Sequence, residues 1–208
     1  MSYSDSPILQ SLLQKFAMMK ESTSNVANVN TFGYKRRIPE SHSFNSILAE
    51  ALKDPTQGSI RKTNRAFDIA IEGNAEFLID TAKGLSHTRN GRFLLNNKGE
   101  LVTQEGHKIV IVDKTDKNIN LALEDDIKIS EDGEIKVNDE FFGRIALRKN
   151  DDKPVKIHQG HIEGSNVDLI QEMFSLQQIY RAFDITEKFL GMEAGVDKEL
   201  IEKYGRNV

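Results

Sequence analysis

The chain has 208 residues, of which 38% are hydrophobic, and its 28 basic and 32 acidic side chains leave a formal charge of -4. This length allows one domain with a real core, or a small domain with helical arms. The absence of an apolar run of about 20 residues argues against membrane insertion. The acidic balance argues against a broad nucleic-acid-binding face. Without cysteine, disulfides, thiolate metal sites and thiol catalysis all drop out.

Met1-Ser2-Tyr3-Ser4-Asp5-Ser6-Pro7 has no basic segment followed by an apolar one, so no cleaved secretory signal is expected. Ser4, Asp5 and Ser6 ahead of Pro7 suit a helix start. Leu9, Leu12, Phe16, Met19, Thr23, Val26 and Asn30 then recur three and four apart along one helical seam, which Ile8 and Leu13 widen. Gly33 is a stop signal, which puts the end of this first helix near Asn30-Thr31. Residues 34–62, with Pro39, Pro55 and Gly58, read as a connector of limited structure. Within it Phe44, Ile47, Leu48, Ala51 and Leu52 have the spacing of a short amphipathic helix.

A β-rich segment is expected over 63–158. Phe67-Asp68-Ile69-Ala70-Ile71-Glu72 alternates with period two, and Glu76-Phe77-Leu78-Ile79-Asp80 follows Gly73-Asn74. Asn90-Gly91, between Leu85–Arg89 and Arg92–Leu95, is a hairpin signal. Other turn signals lie at Asn97-Lys98-Gly99, Glu105-Gly106, Glu131-Asp132-Gly133 and Asn138-Asp139. They flank runs such as Lys108-Ile109-Val110-Ile111-Val112 and Glu134-Ile135-Lys136-Val137. Short strands at this spacing imply an antiparallel domain.

In the last segment Ser165-Asn166 is the expected cap of a C-terminal helix, with Asp168 in its first turn. Leu169, Met173, Leu176, Tyr180, Phe183, Glu187 and Leu190 form a second seam, broadened by Ile170, Phe174, Ile179, Ile185 and Phe189 beyond what one partner helix covers. The expected fold class is α+β: long N- and C-terminal helices packed together in a coiled-coil-like manner, plus a central antiparallel β domain. The expected segments are 1–33 (helical), 34–62 (connector), 63–158 (β-rich) and 159–208 (helical).

Little in the chain points to catalysis. His158 and His161, beside Glu163, have half a metal-site spacing without a third placed ligand. Asp125 and Asp126 read as a solvated turn, His42, His87 and His107 are scattered, and no phosphate-binding glycine loop occurs. Neither an enzyme nor a cofactor is expected. Asn28 and Asn30 read either as ends of the first helix or as hydrogen-bonding groups between subunits. Gly33 and Gly73 are expected at positive φ.

Several of these segments carry a resemblance. Ala27-Asn28-Val29-Asn30-Thr31-Phe32-Gly33-Tyr34-Lys35 is similar to the N-terminal signature of the flagellar basal-body rod protein family, which includes the hook protein. Phe67 through Phe77, Thr88-Arg89-Asn90-Gly91-Arg92-Phe93, Asn97 through Thr103, Gln159-Gly160, Glu163 through Val167 and Arg181-Ala182-Phe183-Asp184 resemble further family motifs in family order. The short stretch between Arg37 and Thr63 resembles the proximal-rod type more than the distal-rod type.

The resemblance implies a structural subunit that polymerises through its terminal helices, with the β domain outside. Its implied partners are other rod subunits, as homo- and hetero-oligomers, and the flagellar export apparatus, with no nucleic acid and no membrane insertion. The implied location is the periplasmic rod of the basal body, reached by export without a cleaved signal, with the termini disordered before assembly. The expected assembly surface is Leu9, Leu12, Phe16, Met19, Val26, Asn28, Asn30, Leu169, Met173, Leu176, Tyr180, Phe183 and Leu190. An alternative is a non-polymerising envelope-binding or adapter protein that exposes aromatics such as Phe141-Phe142.

Overall fold

The computed structural model describes residues 7–38, 51–115 and 126–204, with side chains on the helices described for 10–27, 169–188 and Met192. In chain order, helix α1 (Pro7–Ala27) is followed by β1 (Arg37–Ile38), β2 (Leu52–Lys53), β3 (Ile60–Lys62), β4 (Ile69–Glu72), β5 (Ala75–Thr81) and β6 (Gly84–Thr88). Next come β7 (Leu94–Leu95), β8 (Leu101–Val102), β9 (Lys108–Ile109), β10 (Ile111–Val112) and β11 (Ile127–Ile129). β12 (Glu134–Val137), β13 (Glu140–Ile145), β14 (Leu147–Lys149), β15 (Lys156–Gln159), β16 (His161–Glu163) and helix α2 (Leu169–Tyr204) complete the order. Two compact units result. A helical unit comprises Met1–Ala27, Arg37–Asp54 and Asp168–Val208, and a β unit comprises Asn28–Arg36 and Pro55–Val167.

In the helical unit α1 and α2 run antiparallel, Asn25 meeting Glu172 at one end and Phe16 meeting Phe183 further along, with ring centroids 5.0 Å apart. α1 stops at Ala27, short of the expected Asn30, and Thr31 N donates to the Asn28 carbonyl at 3.0 Å in the turn that follows. α2 is capped by Asp168, whose Oδ1 accepts Ile170 N at 2.9 Å and Gln171 N at 3.2 Å. The expected cap at Ser165-Asn166 is thus displaced, because Asn166 is engaged elsewhere: its Oδ1 accepts Arg36 N at 2.6 Å. Among the described residues no helix is long and apolar enough to cross a membrane.

The coiled-coil-like part of the expected fold class is overturned. One helix at each end flanks a β-rich centre, but their contact is not a continuous apolar seam. Met173 and Tyr180, both expected in the seam, are 58% and 59% exposed, while the polar Asn25 and Glu172 are buried between the helices. A knobs-into-holes seam requires the reverse. The expected amphipathic helix around 44–52 falls mostly outside the described residues, and its last member, Leu52, sits in the two-stranded β1–β2 ladder.

All described ladders of the β unit are antiparallel: a four-stranded sheet in the order β10-β13-β12-β11, a six-stranded sheet β14-β5-β9-β8-β7 with β6 on β5, and the pairs β15–β4 and β16–β3. Alternation along β5 puts Ala75, Phe77 and Ile79 inside and Glu76, Leu78 and Asp80 towards the surface. Phe77 meets Phe93 edge-on at 5.1 Å in a core that includes Ile69, Ile71, Leu101, Ile109, Ile135, Phe142 and Ile157. Phe142 therefore belongs to the core and only Phe141 faces outward, at 38% exposure, so the pair forms no aromatic platform.

The turns at Asn97–Gly99, Glu105-Gly106, Glu131–Gly133 and Asn138-Asp139 each join paired neighbours. Asn90-Gly91 does not. β6 pairs with β5 and β7 with β8, while Ile69 N donates to the Gly91 carbonyl and Phe93 N to that of Phe67. A Cβ on Gly91 would lie 1.6 Å from the Ile69 carbonyl oxygen, so this glycine serves close backbone approach instead of a hairpin turn. The run 108–112 is likewise shared between two sheets, Val110 N donating to Leu78 and Ala146 N donating to the Val110 carbonyl, both at 2.9 Å.

Candidate functional site

α2 has two unlike sides. Glu172, Ile179 and, in part, Leu176, Phe183 and Thr186 lie toward α1, and Lys15 Nζ of α1 donates to Thr186 Oγ1 at 2.5 Å. Roughly the opposite side, by the 3.6-residue repeat, carries Ile170 (79% exposed), Met173, Phe174 (59%), Tyr180, Ile185 (60%) and Met192 (67%). Gln177, Arg181, Asp184 and Lys188, also exposed, lie among these side chains, so the apolar groups are most concentrated at the start of the helix, in Ile170, Met173 and Phe174.

The expected assembly residues divide across these sides. On α1, Leu12, Met19 and Val26 are half-buried and Phe16 is 53% exposed; on α2, Leu176 and Phe183 are half-buried while Leu169, Met173 and Tyr180 face outward. Asn28 accepts a bond from Thr31 Oγ1 at 3.0 Å in the turn after α1, and Asn30 is exposed. Leu9 and Leu190 lie on the helices outside the described side chains. Between the helices Asn25 completes the backbone of β1: its Nδ2 donates to the Arg37 carbonyl at 2.9 Å and its Oδ1 accepts Arg37 N at 2.8 Å. Seam counting passes over Asn25 because it is polar.

A second centre lies within the β unit. Glu163, 2% exposed, accepts Lys35 Nζ and Gly58 N on Oε1, both at 2.9 Å, and Arg89 Nε on Oε2 at 2.5 Å. Arg89 also donates to the Ala75 carbonyl, and to that of Ile71 at 2.8 Å. Lys35 Nζ reaches the Thr56 carbonyl at 2.7 Å. The backbone follows the side chains: Gly33 N donates to the Glu163 carbonyl at 2.9 Å and Asn166 N to that of Tyr34 at 3.3 Å. Gly33 has φ of 66°, and a Cβ there would meet the Arg89 carbonyl carbon at 2.4 Å, so only glycine seats this loop. Gly73, also expected at positive φ, has φ of 111°.

Several other titratable groups make pairs nearer the surface. His158 Nε2 lies 2.7 Å from Glu72 Oε2, and His161 Nδ1 lies 2.8 Å from the Gln159 carbonyl. Among the described residues no three candidate ligands gather to hold a metal. Hydrogen bonds from Lys108 and then Asn96 hold the Glu100 carboxyl below its ordinary range. Lys156 and Glu131 hydrogen-bond at 2.8 Å, which lowers the acid and raises the amine. These are exposed pairs of the kind that contribute little.

In chain order a helix, an antiparallel β unit and a second helix follow one another, an architecture without a catalytic constellation among the described residues. Comparison with known proteins agrees. A family model described as the flagellar hook protein FlgE/F/G D1 domain matches residues 70–137, and one described as the flagellar basal body rod FlgEFG protein C-terminal matches residues 158–201. A flagellar basal-body rod protein FlgF from Mesorhizobium japonicum is 31% identical over 87% of this chain and 89% of its own. The FlgF of Rhizobium meliloti is 31% identical over 85% and 87%, and a FlgG of Buchnera aphidicola is 26% identical over 80% and 86%. The chain belongs to the flagellar basal-body rod protein family, and among these relatives the proximal-rod FlgF proteins share more of its sequence than the FlgG protein does.

Proposed function

We propose that this protein is a structural subunit of the flagellar basal-body rod that polymerises through its terminal helices, the helical unit forming the rod core and the β unit lying outside. The observation that carries the reading is the set of large apolar side chains exposed along α2 among the described residues, Ile170, Met173 and Phe174 foremost. A surface of that composition is costly in water and is covered in the functional state. A heterologous contact that does not close on itself generates a rod from one type of subunit. Its partners are further copies and other rod subunits, and no catalysis, cofactor or nucleic acid enters this role. It reaches the periplasmic rod through the flagellar export apparatus, with its helices gaining order as they meet their neighbours.

The test is a full-length chain with Ile170→Asp and Phe174→Asp. Both side chains are exposed, so the far-UV spectrum of the β unit is expected to persist while assembly on purified rod components and swarming in a complemented deletion strain are abolished. Normal assembly and swarming by this variant would show that the rod is built without this face.

A further inference from the structure

The chain crosses between its two units at four points: Ala27 to Asn28, Arg36 to Arg37, Asp54 to Pro55 and Val167 to Asp168. On the β side of every crossing lies a segment tied to Glu163. Gly33 N bonds its carbonyl and Lys35 its carboxylate on the first segment. Gly58 N bonds the carboxylate on the second. On the third, Asn166 follows Glu163 in sequence and donates from Nδ2 to the Thr56 carbonyl at 3.0 Å, the same oxygen that Lys35 reaches. Arg89 anchors the carboxylate to the core strands through the Ala75 and Ile71 carbonyls.

We propose that Glu163 is the positioning residue of a clasp that makes residues 28–36 a permanent part of the β unit. Gain or loss of helix then stops at Asn28 and at Asp168. The side chains carry this assignment. A buried carboxylate with both oxygens bonded to cations is strongly directional. Removing one partner leaves the other charges buried, so loss of any member loosens the rest. The chain around it adds the close seating of Gly33 on Arg89. The clasp thereby holds the β-side ends of the crossings to one another before any neighbour is met. Its use in assembly rests on the rod reading, whereas its existence is a property of the free chain.

Hydrogen–deuterium exchange on the full-length monomer separates the two. In the unaltered chain the amides of Gly33, Gly58, Asn166 and Gly164, which donates to the Ser59 carbonyl at 2.9 Å, are expected to be protected to the same degree as β4 and β5, even where α1 exchanges fast. In Glu163→Gln those four amides are expected to lose protection about tenfold or more, with Ile69–Ile79 changing about twofold at most. Lys35→Gln, which leaves the Arg89 pair in place, gives the same pattern at smaller amplitude and serves if Glu163→Gln does not fold. Residues 28–36 exchanging as freely as an open chain would overturn the proposal, as would a uniform loss across the β unit or no loss at all. None of these outcomes depends on whether the protein builds a rod.

Discussion

Glu163 carries its charge inside the β unit because each oxygen has a cationic donor and one also has a backbone amide. Burial without those partners would cost several kcal/mol. Exposed pairs behave differently. The Glu100 carboxyl is more acidic in the folded chain than in the unfolded one because Lys108 and Asn96 bond its ionised form. The contribution is therefore complete above the ordinary glutamate value and disappears as pH falls through the lower folded value. Glu100→Gln is expected to lower the urea midpoint slightly at neutral pH and not at acid pH, which flattens its fall across that window. Equilibrium unfolding at a series of pH values reads this directly, and an unaltered slope would refute it. Lys35, Arg89 and Glu163 all stand in segments whose family resemblance is visible in the sequence. Their convergence on one carboxylate is not visible, since pairs 74 and 128 residues apart are set by the path of the chain.

At the scale of elements, α2 starts where Asp168 caps it, and its first turn has the carboxylate on two amides. Asp168→Ala is expected to destabilise the helix by about 1 kcal/mol, with Asp168→Asn recovering most of the loss. Far-UV circular dichroism against temperature measures this, and no change in helical signal for the alanine variant would move the cap back to Ser165. Both helices were legible from three-and-four periodicity. The side of α2 that faces α1 was not, because its apolar residues extend well beyond one seam and periodicity cannot say which half a neighbour covers. Structure answers through Glu172 and Asn25, which occupy the contact because Asn25 also serves the backbone of β1. Asn90-Gly91 was misread for a related reason. A turn dipeptide and a glycine needed for close backbone approach look alike in sequence, and the Ile69 carbonyl above Gly91 distinguishes them.

Association of the whole molecule through the α2 face should follow apolar burial. Self-association, or binding to another rod subunit, is expected to change little between low and moderate sodium chloride and to strengthen in sulfate, which favours burial by exclusion from protein surfaces. Sedimentation across a concentration series in both salts is the check, and steep weakening by sodium chloride would assign the contact to charge instead.

The sequence by itself determined the order of the molecule, helix then strands then helix, together with its family and the oily character of its termini. Those follow from local periodicity, turn chemistry and motif order, all of which are written within short windows of chain. Only the tertiary structure decided that Asn28–Arg36 belongs with the β unit, that Glu163 binds three distant segments, and that Glu172 of α2 faces α1 while Ile170, Met173 and Phe174 stay exposed. Each of these depends on which surfaces meet across long stretches of chain. Polar residues such as Asn25, Arg89 and Glu163 are drawn inside only when their partners arrive with them.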